Sequence, residues 1–142
     1  MDKNSDFSKQ TKLTYGRGYV YSLQYHIVFC TKYRKRVLCD GIDTECKRIL
    51  EALAKEYQFT IINMEIMPDH VHILIDCKPQ FYIADMIKII KGTIARKLFI
   101  LYPDLKTKLR GGHLWNPSYC VVTVSDRSID AVKHYIMFQK LK

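Results

Sequence analysis

The sequence predicts an α+β protein, a ferredoxin-like antiparallel sheet with helices on one face plus a C-terminal helix. Three observations lead there. Apolar and polar residues alternate with a period of two over 19–31, 70–76 and 115–124, as in half-buried strands, and the β-branched run over 58–67 reads the same way. Between and after these runs, apolar residues recur at the i, i+3, i+4, i+7 spacing of helices that pack by one side. The elements therefore run strand, helix, strand, strand, helix, strand, helix, and the first six follow the split β-α-β order. A chain of 142 residues suits one domain and is too short for two ordinary ones, so 18–142 is expected to be a single domain behind a mobile tail at 1–17.

The tail, MDKNSDFSKQTKLTYGR, has neither strand nor helix periodicity. In the first strand, Leu23, Tyr25, Ile27 and Phe29 alternate with Ser22, Gln24, His26 and Val28. It runs into Lys32, Tyr33, Arg34, Lys35 and Arg36, four cations around one aromatic ring, a combination suited to gripping phosphates and stacking a base. Asp43 or Thr44 can cap a helix whose inner stripe is Ile49, Leu50, Leu53 and Tyr57. The following strand, 58–67, turns through Pro68-Asp69 into 70–76 as a hairpin. There Val71, Ile73 and Ile75 face a core, and His70 and His72 share the opposite face near the open end of the strand, within reach of a metal ion. Two imidazoles hold a divalent ion poorly, so this reading needs a further ligand. Glu65 and Asp69 are near in sequence, but neither stands out as that ligand.

Residues 81–101 form a second amphipathic helix, with Ile83, Met86, Ile87, Ile90, Ile94 and Leu98 inward and Lys88, Lys91, Arg96 and Lys97 off the stripe. Gly92 within it costs about 1 kcal/mol relative to alanine and suggests a close backbone approach. Residues 102–113 read as a basic, flexible loop. Trp115 to Val124 returns to a strand, and Ser125 to Ser128 offers caps for a last helix packed by Ile129, Val132 and Ile136. On that helix Tyr135 and Gln139 lie one turn apart. His26 and His134 are read as structural, while His113 sits beside Trp115 and a basic loop.

A formal charge of +9, from 23 Lys+Arg against 14 Asp+Glu, favours a polyanionic partner, nucleic acid first. Lys32 to Arg36, Lys88, Lys91, Arg96 and Trp115 are the candidate contacts. Five scattered cysteines without a Cys-x-x-Cys pair argue against a disulfide framework or a zinc cluster. The polar N-terminus and the absence of a long apolar run argue against secretion or a membrane span, so a cytoplasmic protein is expected.

Five stretches, in this order, resemble one family. They are Tyr25-His26-Ile27-Val28-Phe29-Cys30-Thr31-Lys32-Tyr33-Arg34, Met67-Pro68-Asp69-His70-Val71-His72, Lys91-Gly92-Thr93-Ile94-Ala95-Arg96, Leu114-Trp115 leading into Tyr119, and Tyr135 followed by Gln139. The family is that of the single-tyrosine HUH transposases of the insertion-sequence type, which move single-stranded DNA. The resemblance implies that His70, His72 and Gln139 hold a magnesium or manganese ion and that Tyr135, on the C-terminal helix, is the nucleophile. It also implies a 5′-phosphotyrosine intermediate, hairpin-forming element ends as the DNA, and a homodimer in which one subunit's tyrosine helix can complete the other's histidine site. The alternatives are a host-adopted HUH single-strand nuclease and a non-catalytic ferredoxin-like nucleic-acid-binding module. A small-molecule phosphohydrolase gives no reason for cations spread over three segments.

Overall fold

Val71, Ile73 and Ile75 are completely buried, and the sheet is built around the strand that carries them. A computed structural model describes residues 14–16, 19–21 and 23–139 of the chain. Its elements are β1 (Thr14–Gly16), β2 (Tyr19–Tyr21), β3 (Gln24–Cys30), α1 (Ile42–Tyr57), β4 (Thr60–Met67), β5 (His70–Asp76), α2 (Ile83–Leu101), β6 (Cys120–Thr123) and α3 (Ser128–Phe138). The main sheet is antiparallel in the order β4-β5-β3-β6, the ferredoxin-like arrangement expected.

Register decides which residues share a face. Ile27 pairs with Ile73 and Phe29 with Val71, and these side chains meet Ile49, Leu50 and Leu53 of α1 and Met86, Ile87, Ile90, Ile94 and Leu98 of α2. Burying each such side chain contributes about 1.5–3 kcal/mol. The opposite face carries His26, Val28 and Cys30 of β3 beside His72 and His70 of β5. There α3 packs against β3 and β6 through Val132.

Several details depart from the sequence reading. The strand expected over 19–31 is two: β2 pairs with β1 in a separate small hairpin, and only β3 belongs to the main sheet. Most of the expected tail lies outside the described residues, but its end, Thr14–Gly16, is paired. The α1 cap is Gly41 at φ 95°, a backbone angle that suits glycine, and Asp43 instead accepts the Gly41 N–H at 3.2 Å. The run 102–113 folds into 3-10 turns at Pro103–Lys108 and Arg110–Gly112, because Leu105 and Leu109 are drawn into the core. A Cβ on Gly92 would meet only the Arg96 guanidinium, 3.4 Å away, so no backbone crowds that position. Trp115 makes only an isolated bridge with Thr31, and regular pairing of β6 begins at Cys120.

Candidate active site

The β4–β5 hairpin closes on a two-residue turn, Pro68-Asp69, with Met67 opposite His70. The turn puts the Asp69 carboxylate beside the first histidine, where Oδ1 lies 2.9 Å from His70 Nδ1. When Nδ1–H donates to that oxygen, the neutral ring carries its lone pair on Nε2, the arrangement that orients a metal-binding imidazole. The other carboxylate oxygen, Oδ2, accepts from Arg34 Nε at 3.0 Å and Nη2 at 2.8 Å. Burial works to raise the Asp69 carboxyl, but the hydrogen bonds from His70 and Arg34 and the guanidinium charge outweigh it and hold the group below the usual carboxylate range.

His72 lies deeper. Its Nε2 is 3.0 Å from Nδ1 of the fully buried His26, so one ring donates to the other. Burial, then the charges of His26 and His70, push the His72 pKa down to about 3, which leaves a neutral imidazole at physiological pH. If Nε2–H donates to His26, the His72 lone pair is on Nδ1. Among the described residues no three His, Cys, Asp or Glu side chains converge into a metal cluster, so an ion on His70 and His72 needs a ligand of another type.

Tyr135 sits near the end of α3 with its hydroxyl 2.7 Å from Ser118 Oγ. Asn116 Oδ1 accepts from both the Ser118 N–H and Oγ–H, each at 2.9 Å. With the serine proton committed there, Oγ accepts from Tyr135, and the Gln139 Oε1 stands 3.5 Å from the same Oγ. The loop holding Ser118 is pinned by α2, since Lys91 Nζ donates to the carbonyls of Asn116 at 2.8 Å and Ser118 at 3.1 Å. The Trp115 indole N–H returns to the Lys91 carbonyl at 2.9 Å. Burial raises the Tyr135 pKa, and the Ser118 hydrogen bond partly offsets the rise.

The candidate DNA contacts divide into two groups. Tyr33, Lys35, Arg36, Lys88 and Arg96 are exposed, and half-buried Lys32 lies over the Tyr33 ring at 5.2 Å. Arg34, Lys91 and Trp115 are turned inward to the partners above. Tyr135 and Gln139 come together on Ser118, and the Arg34 guanidinium bridges from the histidine turn to the end of α3. Sequence reasoning did not single out Ser118, Asn116 or the bridging part of Asp69. Asn116-Pro117-Ser118 did carry an Asx-turn signal, an asparagine able to accept from the N–H two residues on.

The four-stranded antiparallel sheet with its packed helices is the fold of a transposase. Residues 19–139 match the family of IS200-like transposases, and the chain belongs to that family. It is 48% identical over 124 residues to the ISDra2 transposase TnpA of Deinococcus radiodurans, covering 87% of this chain and 89% of that protein. It is 28% identical over 124 residues to the IS200 transposase of Salmonella typhimurium, covering 85% of this chain and 82% of the relative. A crystal structure of a Deinococcus radiodurans transposase superposes with a TM-score of 0.84 at 43% identity, covering 91% of this chain and 99% of that one. A REP-associated tyrosine transposase bound to a REP hairpin shares the fold, with a TM-score of 0.56 at 14% identity over 85% of this chain and 67% of that one. Membership implies DNA transposition, with strand cleavage and transfer. Among the described residues no helix is long and apolar enough to cross a membrane.

Proposed function

We propose that this chain cleaves and rejoins single-stranded DNA at the ends of an insertion sequence, with Tyr135 as nucleophile. The observation that carries the reading is the meeting of Tyr135 and Gln139 on Ser118, at the end of a match to the transposase family that runs from Tyr19 to Gln139. The Tyr135 oxygen attacks the scissile phosphorus, the bond to the 3′-oxygen breaks, and a 5′-phosphotyrosine and a free 3′-hydroxyl result. The phenol's proton leaves to solvent water, which reaches the half-buried Tyr135. Ser118 takes up the hydrogen bond as the phenol ionises, and Asn116 and Lys91 hold Ser118 in place. Because the phosphotyrosine bond conserves the energy of the broken linkage, a 3′-hydroxyl of another strand reverses the step without ATP.

His70, His72 and Gln139 are the residues that would hold a divalent ion, magnesium or manganese, with the nitrogen donors favouring manganese. When bound, such an ion neutralises charge on the scissile phosphate. The Asp69–His70 hydrogen bond and the neutral His72 suit that role. Exposed Tyr33, Lys35, Arg36, Lys88 and Arg96, with Lys32, are the groups that meet the DNA backbone and bases, and hairpin-forming element ends are the proposed substrate. A homodimer is part of the same reading, and a mass of two chains by light scattering is its expected signature.

The test is a denaturing gel of protein with labelled single-stranded DNA from the gene's flanks, with manganese or EDTA, comparing the parent with Tyr135→Phe. A manganese-dependent protein–DNA band absent in the mutant is expected. A band of equal intensity in the mutant would rule out Tyr135, and DNA binding without any band would favour a non-catalytic binding module.

A further inference from the structure

Arg34 falls in the basic run, yet it does not behave as a surface cation. Tyr33 and Arg34 are consecutive non-glycine residues at φ 57° and 56°. Each such residue costs on the order of 1 kcal/mol or more and persists only where surroundings enforce it. The twist aims the Arg34 side chain inward, to 18% exposure, while Tyr33, Lys35 and Arg36 stay outside. The loop is fastened to the histidine turn by backbone bonds from Thr31 N–H to the Asp69 carbonyl and from Leu38 N–H to the Pro68 carbonyl, both 2.9 Å. Two nitrogens of the guanidinium meet Asp69 Oδ2, and Oδ1 of that carboxylate meets His70. The third, Nη1, donates to the Ile136 carbonyl and lies 3.5 Å from that of Gln139. Those carbonyls belong to the last turn of α3 and to its C-cap, Gln139, where acceptors lack helical partners and the helix dipole favours a cation.

We propose that Arg34 is a positioning residue, one guanidinium that sets the end of α3, and with it Tyr135 and Gln139, relative to His70. This rests on the functional reading of His70 and Tyr135 given above. Lysine cannot replace arginine here, because an ammonium is a point charge and the three directions need a planar fork. Arg34 therefore contributes to the chemical step through geometry. Its loss removes the link between the two halves of the site without removing either half.

The experiment uses the full chain, the flank DNA and manganese, with Arg34→Lys, Arg34→Ala and Asp69→Asn. Arg34→Lys is expected to lower kcat for adduct formation about 10²-fold, the cost of misplacing a reacting group by about 1 Å, with KM for DNA held within about twofold. Ethylguanidinium should restore part of the rate to Arg34→Ala. Two readouts need neither metal nor DNA. Amide exchange over 134–139 should speed up in both Arg34 variants, and nitrogen-15 spectra should show the His70 Nδ1–H form giving way in Asp69→Asn. A raised KM with kcat intact would make Arg34 a DNA contact and overturn the proposal. Should the parent form no adduct, the functional reading falls, and unchanged amide exchange at the end of α3 in Arg34→Lys overturns the proposal separately. If Arg34→Ala fails to fold, Arg34→Lys carries the test, since it keeps the charge and loses the fork.

Discussion

The Tyr135 hydroxyl lies 2.7 Å from Ser118 Oγ, and when the serine O–H donates to Asn116 Oδ1, its shorter acceptor at 2.9 Å, the tyrosine is the donor to Oγ. This holds the nucleophile candidate as a phenol at rest. On ionisation the serine hydroxyl can turn toward the phenolate, which keeps the tyrosine below where burial alone would put it. Ser118→Ala is therefore expected to raise the Tyr135 pKa further and to slow adduct formation most at the lower end of the working pH range. Carbon-13 ring NMR, with Tyr135 assigned by Tyr135→Phe, follows the titration, and an unmoved resonance in Ser118→Ala would sink the idea.

Trp115 supports the same loop from beneath. Its indole N–H holds the Lys91 carbonyl, and its ring meets Phe29 edge-on at 4.7 Å. Trp115→Phe keeps most of the ring contact and loses the hydrogen bond, so a stability loss of about 1 kcal/mol is expected, against about 3–5 kcal/mol for Trp115→Ala. Urea titration measures both. A neutral Trp115→Ala would mean that the ring is not packed as described.

Acid should destabilise the fold well above the carboxylate range. His72, at about 3, stays neutral when folded, and burial lowers His26 in the same direction, whereas unfolded imidazoles protonate near 6.5. Between those values the unfolded chain binds more protons, so stability rises with pH. Asp69, held low, adds its own loss only as pH falls through its depressed folded value. For His72 alone the loss reaches up to about 2 kcal/mol at pH 5. Urea midpoints that stay flat from pH 7.5 to 5 would contradict it.

Gly92→Ala should stabilise the chain. The position is helical, and the added methyl would meet only the flexible end of Arg96, so about 0.5–1 kcal/mol of helix propensity is gained. Thermal unfolding of the variant checks this, and a lower midpoint would restore the idea of a close approach.

Much of the fold is legible in the sequence, because strand and helix periodicities are local. Alternation over 70–76 sent Val71, Ile73 and Ile75 to the core and placed His70 and His72 together on the other face, as β5 does. The helical stripes at 49–53 and 83–98 name the residues that cover that core. Periodicity ceases to inform where the backbone leaves regular structure. Leu105 and Leu109 are buried by 3-10 turns in what reads as a loop.

The same limit governs the site. Residue identity and order placed the two histidines on one strand face, because that relation follows from the repeat of a single element. The expected helical turn from Tyr135 to Gln139 is not completed, since α3 ends at Phe138 and Gln139 caps it with non-helical backbone angles. Tertiary structure alone decided that Arg34 turns inward while Lys35 and Arg36 do not, since that depends on two left-handed backbone angles that no pattern encodes. It likewise decided that Lys91 spends its charge on two carbonyls and that Ser118 receives Tyr135. A side chain's partner is set by which elements pack together, and distances between elements are not written in the spacing along the chain.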